Sequence, residues 1–92
     1  MSIPGDTVLI ADLRNLGPVS RRLLGEIDVY TAGDIRKLGP ALIYNILKGK
    51  GSNVSLNLVY AMEAAIRGIH WLELTPREKA DIRSQCEYSL RD

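Results

Sequence analysis

Phenylalanine is absent from this 92-residue chain, and all aromatic residues together, one tryptophan and four tyrosines, make up only 5% of it. A core must therefore be filled by leucine, isoleucine, valine and alanine, the usual filling of a helical domain. Cysteine occurs once, at Cys86, which excludes an internal disulfide and fits a reducing compartment. Histidine also occurs once, at His70, with no partner at metal-ligand spacing, so neither a metal nor another cofactor is expected. No apolar run approaches the roughly 20 residues that a membrane span needs. Met1 to Asp6 lack the basic start and apolar stretch of a secretion signal, so the expected location is cytoplasmic, with no membrane partner.

Excess charge of one sign is missing too. Twelve lysines and arginines face eleven aspartates and glutamates. Residues 1–50 carry seven basic and five acidic side chains, and residues 51–92 carry five and six. A dedicated nucleic-acid binder is usually far more basic, because each phosphate contact needs a cation or a well-aimed amide. Composition thus argues against tight general DNA binding.

What is present is a globular apolar fraction, 46%, in a length that suits one domain, residues 1–92. The most informative feature is a repeat. Asp12-Leu13-Arg14-Asn15-Leu16-Gly17-Pro18 recurs 22 residues on as Asp34-Ile35-Arg36-Lys37-Leu38-Gly39-Pro40, with five of seven positions identical. Each copy is followed by apolar residues at helical spacing: Val19, Leu23 and Leu24 in one, Leu42, Ile43, Ile46 and Leu47 in the other. Gly17 and Gly39 suit the positive φ that ends a helix, and the prolines after them suit the first position of the next. The repeat predicts helix, short hairpin, helix, twice.

Thr31 with Asp34 reads as the cap of a helix of about two turns. Lys48 to Asn53 is a polar, glycine-containing break; its Gly49-Lys50-Gly51-Ser52 lacks the spacing and preceding strand of a phosphate-binding loop. Ser55 then opens the most apolar helix, Leu56 to Arg67, polar only along Asn57, Tyr60, Glu63 and Arg67, and Gly68 ends it. Such a helix belongs at the centre of a bundle. Thr75-Pro76-Arg77-Glu78 starts a last helix running toward Tyr88 or Leu90. Its apolar stripe is Ile82, Cys86 and Leu90; Arg77 with Asp81, Arg83 with Glu87, and Glu87 with Arg91 are candidate pairs four apart. The fold class is all-α: a compact bundle of about five helices with tandem helix-hairpin-helix (SAM-like) turns around a central apolar helix.

The sharpest candidate site is the first hairpin. Unpaired amides where its second helix begins can hold a backbone phosphate, and Arg14, Arg21 and Arg22 lie close by. The same residues also suit a simple helix connection with solvated arginines. The second hairpin continues into apolar Ala41 and Leu42, which favours a structural role. His70 and Trp71 read as a corner packed into the core, and Cys86 as an inert buried thiol. No nucleophile, base and orienting group occur as a set, so neither an enzyme nor a small-molecule substrate is expected.

Leu13-x-Asn15-Leu16-Gly17-Pro18-x-Ser20, Asp34-Ile35, Leu38-Gly39, Val54-Ser55-Leu56-Asn57-Leu58-Val59-Tyr60-Ala61-Met62 and His70-Trp71 together resemble the C-terminal domain of the TfoX competence-regulator family. The resemblance implies an α-helical fold and an association with DNA uptake and transcription; full-length regulators of that kind carry another domain upstream. Locally, Asn15-Leu16-Gly17 with Ser20 is similar to the DNA-contacting hairpin of the RNA polymerase α subunit. Carried over, Gly17, Val19 and Ser20 offer amides to phosphate, although Val19 stands where such hairpins often carry lysine or arginine.

Two readings follow. One is a non-enzymatic TfoX C-terminal-type module making weak, sequence-independent contacts to the DNA backbone through Arg14, Gly17, Val19, Ser20, Arg21 and Arg22. The other is a protein-interaction or self-association module that binds no nucleic acid. Convergence of Arg14, Arg21, Arg22, Arg36 and Lys37 beside both hairpins favours the first. Scatter, or an exposed apolar patch on the last helix, favours the second.

Overall fold

Two of the helices begin at reciprocal side-chain caps, and two others at a Gly-Pro step. The structure, a computed structural model, describes residues 3–90, with side chains as far as Glu87. Its five helices are α1 (Pro18–Gly25), α2 (Ala32–Leu38), α3 (Pro40–Gly49), α4 (Leu56–Arg67) and α5 (Pro76–Leu90). Single 3-10 turns lie at Ile10–Asp12 and Trp71–Glu73. The described residues contain no strand, only an isolated antiparallel bridge between Leu9 and Thr31. The all-α bundle is as expected.

α2 starts at a reciprocal cap. The Asp34 amide donates to Thr31 Oγ1 at 3.1 Å, and Asp34 Oδ2 accepts from the Thr31 amide at 3.2 Å and the Tyr30 amide at 2.9 Å. It ends at Gly39, whose φ of 89° is open to glycine, and Pro40 opens α3 immediately. α4 ends on left-handed Gly68, where the Ile69 amide closes onto the Ala64 carbonyl at 3.0 Å.

α5 repeats the device of α2: the Glu78 amide donates to Thr75 Oγ1 at 3.1 Å, and Glu78 Oε1 accepts from the Thr75 amide at 2.8 Å. Hydrogen bonds from Thr75, backbone first, and then the Arg67 guanidinium hold the Glu78 carboxyl below the ordinary glutamate value of 4.5. Bonds from the Tyr30 and Thr31 amides hold Asp34 below the ordinary aspartate range as well. A carboxyl lowered by folding stabilises the native state above its unfolded pKa, and that stability disappears as the pH falls through the folded value. Thermal melts should therefore fall progressively as the pH drops below about 4.5. Glu78→Gln should flatten that slope, and an unchanged slope in the variant rules Glu78 out as its source.

The first copy of the repeat departs from expectation. No full helix precedes it, only the Ile10–Asp12 turn, whose N-terminal flank Leu9 has no side chain to cap with. Gly17 is extended at φ −94°, and the left-handed residue is Asn15 at φ 72°. Near-identical sequences thus take different conformations because Thr31 and Asp34 nucleate a helix in one and nothing does so in the other.

α4 joins two apolar clusters. Leu58, Met62 and Ala65 pack with Leu24, Ile35, Ile43 and Leu47; Val59, Tyr60 and Ala64 pack with Tyr44, Leu74, Ile82 and Cys86. Each fully buried large aliphatic chain contributes about 1.5–3 kcal/mol. Tyr60, expected on the polar stripe of α4, is instead buried, its hydroxyl accepting from Arg83 Nη1 at 3.2 Å. Arg83 therefore does not pair with Glu87, and no Arg77–Asp81 bridge forms among the described residues. Arg67 instead bridges Glu63 and Glu78. Leu90 and Arg91 lie outside the described side chains.

Arg36 ties the N-terminal arm down. Its guanidinium pairs with Asp6 at 2.7 Å and donates to the carbonyls of Pro4 and Ile66, the latter at 2.9 Å in the last turn of α4. A side chain on Gly33 would meet the Asp6 backbone at 2.9 Å, so the arm lies hard against α2. Arg36→Ala should cost about 2 kcal/mol, since hydrogen bonds to charged groups are each worth about 1.5–3 kcal/mol and this guanidinium is partly exposed. Lys37→Ala, at an exposed neighbour, should stay within about 0.5 kcal/mol of wild type. Urea unfolding of the two variants checks the contrast.

Candidate functional site

The surroundings of the first hairpin follow from Asn15. With its backbone left-handed, its side chain turns to the distant corner after α4: Nδ2 donates to the Ile69 carbonyl at 2.9 Å, and Oδ1 accepts from the Trp71 amide at 3.2 Å. Asparagine tolerates the left-handed region better than most residues, and its carboxamide matches both faces of a peptide group. The hairpin and the His70-Trp71 corner, far apart in sequence, are thereby locked together.

His70 acts as a cap rather than as core packing. Its Nδ1 accepts from the Leu72 amide at 3.1 Å, and Glu73 Oε2 accepts from the His70 amide at 2.7 Å. The ammonium of Lys79, on α5, lies 5.4 Å from the Trp71 ring centre and 5.7 Å from that of Tyr60, within cation–π range. Trp71 is thus positioned through its backbone by Asn15 and through its ring by Lys79.

Between α1, the first turns of α4 and Trp71 lies a groove of about 340 Å³. Val19, Leu23, Val54, Leu58, Ala61 and Trp71 supply its apolar surface. Asn15, Ser20, Asn53, Ser55 and Asn57 supply neutral polar groups. No lysine, arginine or carboxylate lines it. Two helix starts without a side-chain cap border it, since Gly17 has no side chain and Ser55 makes no cap bond. Val19, which is 64% exposed, stands on its α1 wall.

The expected site residues separate. Val19 and Ser20 line this groove, and Gly17 precedes it as the helix cap. Arg14 lines a different hollow with Pro4, Asp12, Ala65 and Gly68, by the end of α4. Arg21 lines a third, beside Leu9 and Tyr30. Arg22 is exposed, and Arg36 is spent on the N-terminal arm. Asn53, Asn57 and Ala61 also line the groove, though none was expected as a site residue. A polar Asn57 in an otherwise apolar first turn was the available signal.

Cys86 is buried, and burial pushes its thiol above the ordinary range, as expected of an unreactive cysteine. Among the described residues, no three of histidine, cysteine, aspartate and glutamate are placed to hold a metal, and no helix is long and apolar enough to cross a membrane.

Fold and groove define a small five-helix module with a neutral, aromatic-walled cleft beside its first hairpin. The family model of the TfoX C-terminal domain matches residues 7–86, and the chain belongs to that family. Neither the curated proteins nor the solved structures provide a match.

Proposed function

We propose that this TfoX C-terminal domain is a non-catalytic docking module whose groove between α1 and α4 receives an uncharged, apolar segment of a partner protein. The observation that carries the reading is the groove's lining: aliphatic side chains and Trp71 inside, carboxamides and hydroxyls at the edge, and no charge. Apolar side chains of a partner fit the interior, while Asn53, Asn57 and Ser20 suit the peptide groups alongside. A phosphate backbone calls for clustered cations, and the arginines near the hairpins are instead divided among separate surfaces.

The DNA-backbone reading retains one supporting observation. Arg21 and Arg22 are exposed, and no ion pair engages them among the described residues, close to an α1 start that has no side-chain cap.

Selection of random displayed peptides on the domain, with Trp71 emission as the binding signal, tests the proposal. Uncharged apolar sequences should be enriched, and Ala61→Arg should abolish their binding while the helical circular dichroism persists. Salt-sensitive binding of labelled duplex DNA, lost in the Arg21→Ala, Arg22→Ala double variant, would overturn the proposal in favour of phosphate recognition.

A further inference from the structure

A second surface carries its own exposed apolar groups. Leu9 is 53% exposed and Tyr30 54%, and with Ile10, Ala11, Val29 and Arg21 they line a hollow of about 200 Å³. Clustered exposed apolar residues on a soluble domain mark contact surfaces more often than isolated ones do. The volume is below the roughly 300 Å³ at which small-molecule clefts begin, and suits a single inserted side chain.

The hollow is preformed. The Ile10 amide donates to the Tyr30 carbonyl at 3.0 Å and the Ala32 amide to the Val8 carbonyl at 2.9 Å, stitching the N-terminal arm to the entry of α2. The Tyr30 ring is held in turn by its hydroxyl, which donates to Asp28 Oδ1 at 3.2 Å. That bond engages the nearby Asp28 carboxylate.

Arg21 is the only charged residue lining the hollow, and no ion pair among the described residues engages it. We infer that this hollow docks an acidic, apolar protein segment, with a large aliphatic or aromatic side chain seated against Leu9 and Tyr30 and a flanking carboxylate paired with Arg21. A basic segment would meet the guanidinium repulsively. A nucleic-acid backbone would find one cation where several are needed. The surface is distinct from the α1–α4 groove, and the inference does not rest on it.

The test uses the isotope-labelled domain and two blocked hexapeptides, one alternating aspartate with leucine and the other lysine with leucine. The acidic peptide should shift the amide resonances of Leu9, Ala11, Arg21 and Val29 saturably, and less so at high salt. Arg21→Gln and Leu9→Ser should each weaken it about tenfold, the size of effect expected when one contact of about 1.4 kcal/mol is lost. Ala61→Arg, in the other groove, should leave it unchanged, which separates failure here from failure of the docking reading above. The absence of saturable shifts at these amides, an equal response to both peptides, or displacement of the acidic peptide by duplex DNA would overturn the inference.

Discussion

Leu16→Ala should lower the unfolding free energy by about 3 kcal/mol, whereas Leu38→Ala, the same change at the matching position of the repeat, should cost about 1 kcal/mol or less. Leu16 is 6% exposed and packs in the larger cluster, but Leu38 is 37% exposed. The difference arises upstream. α2 runs helically through Leu38 and turns that side chain outward, while left-handed Asn15 redirects the chain so that Leu16 points inward. Truncating a buried leucine loses its transfer free energy and leaves a cavity; truncating a partly solvated one loses only part of the first. Urea midpoints at constant slope measure both. Equal losses would mean that the two copies are packed alike and that the divergence described here is wrong.

Asn15→Ala should cost about 3 kcal/mol, from two separable sources. Alanine at φ 72° pays for a left-handed backbone that asparagine tolerates, about 1 kcal/mol. The Ile69 carbonyl and the Trp71 amide also lose their partner, at about 1–3 kcal/mol for groups that are partly buried. Asn15→Gly removes the first cost but not the second, so it should be more stable than Asn15→Ala by about 1 kcal/mol and still below wild type. Both variants should change Trp71 emission, because that residue's place in the groove depends on the carboxamide. If Asn15→Gly matched wild type in stability and emission, the tie to the corner would be energetically idle.

Particular residues mark how far the sequence could be read. The caps at Thr31 and Thr75, the stop at Gly68 and the apolar girth of α4 are local signals, each carried within about one helical turn, and all were legible. The positive φ assigned to Gly17 was not, because the choice between Gly17 and Asn15 depends on bonds to Ile69 and Trp71, over fifty residues away. Arg36 could not be distinguished from Arg14 by its motif, since only folding brings Asp6 and the end of α4 to it. The candidate site was half legible. Val19 and Ser20 were named in advance, and the α4 wall that makes them part of a groove was not.

The sequence by itself determined the helical class, the order and most boundaries of the helices, and membership of the family, because capping, periodicity and glycine placement act over a few residues. Tertiary structure alone decided which copy of the repeat becomes a helix pair, which arginines are consumed internally, and where the uncharged groove opens. Those outcomes depend on partners supplied by distant segments, and a repeated motif carries no record of which neighbours it will meet.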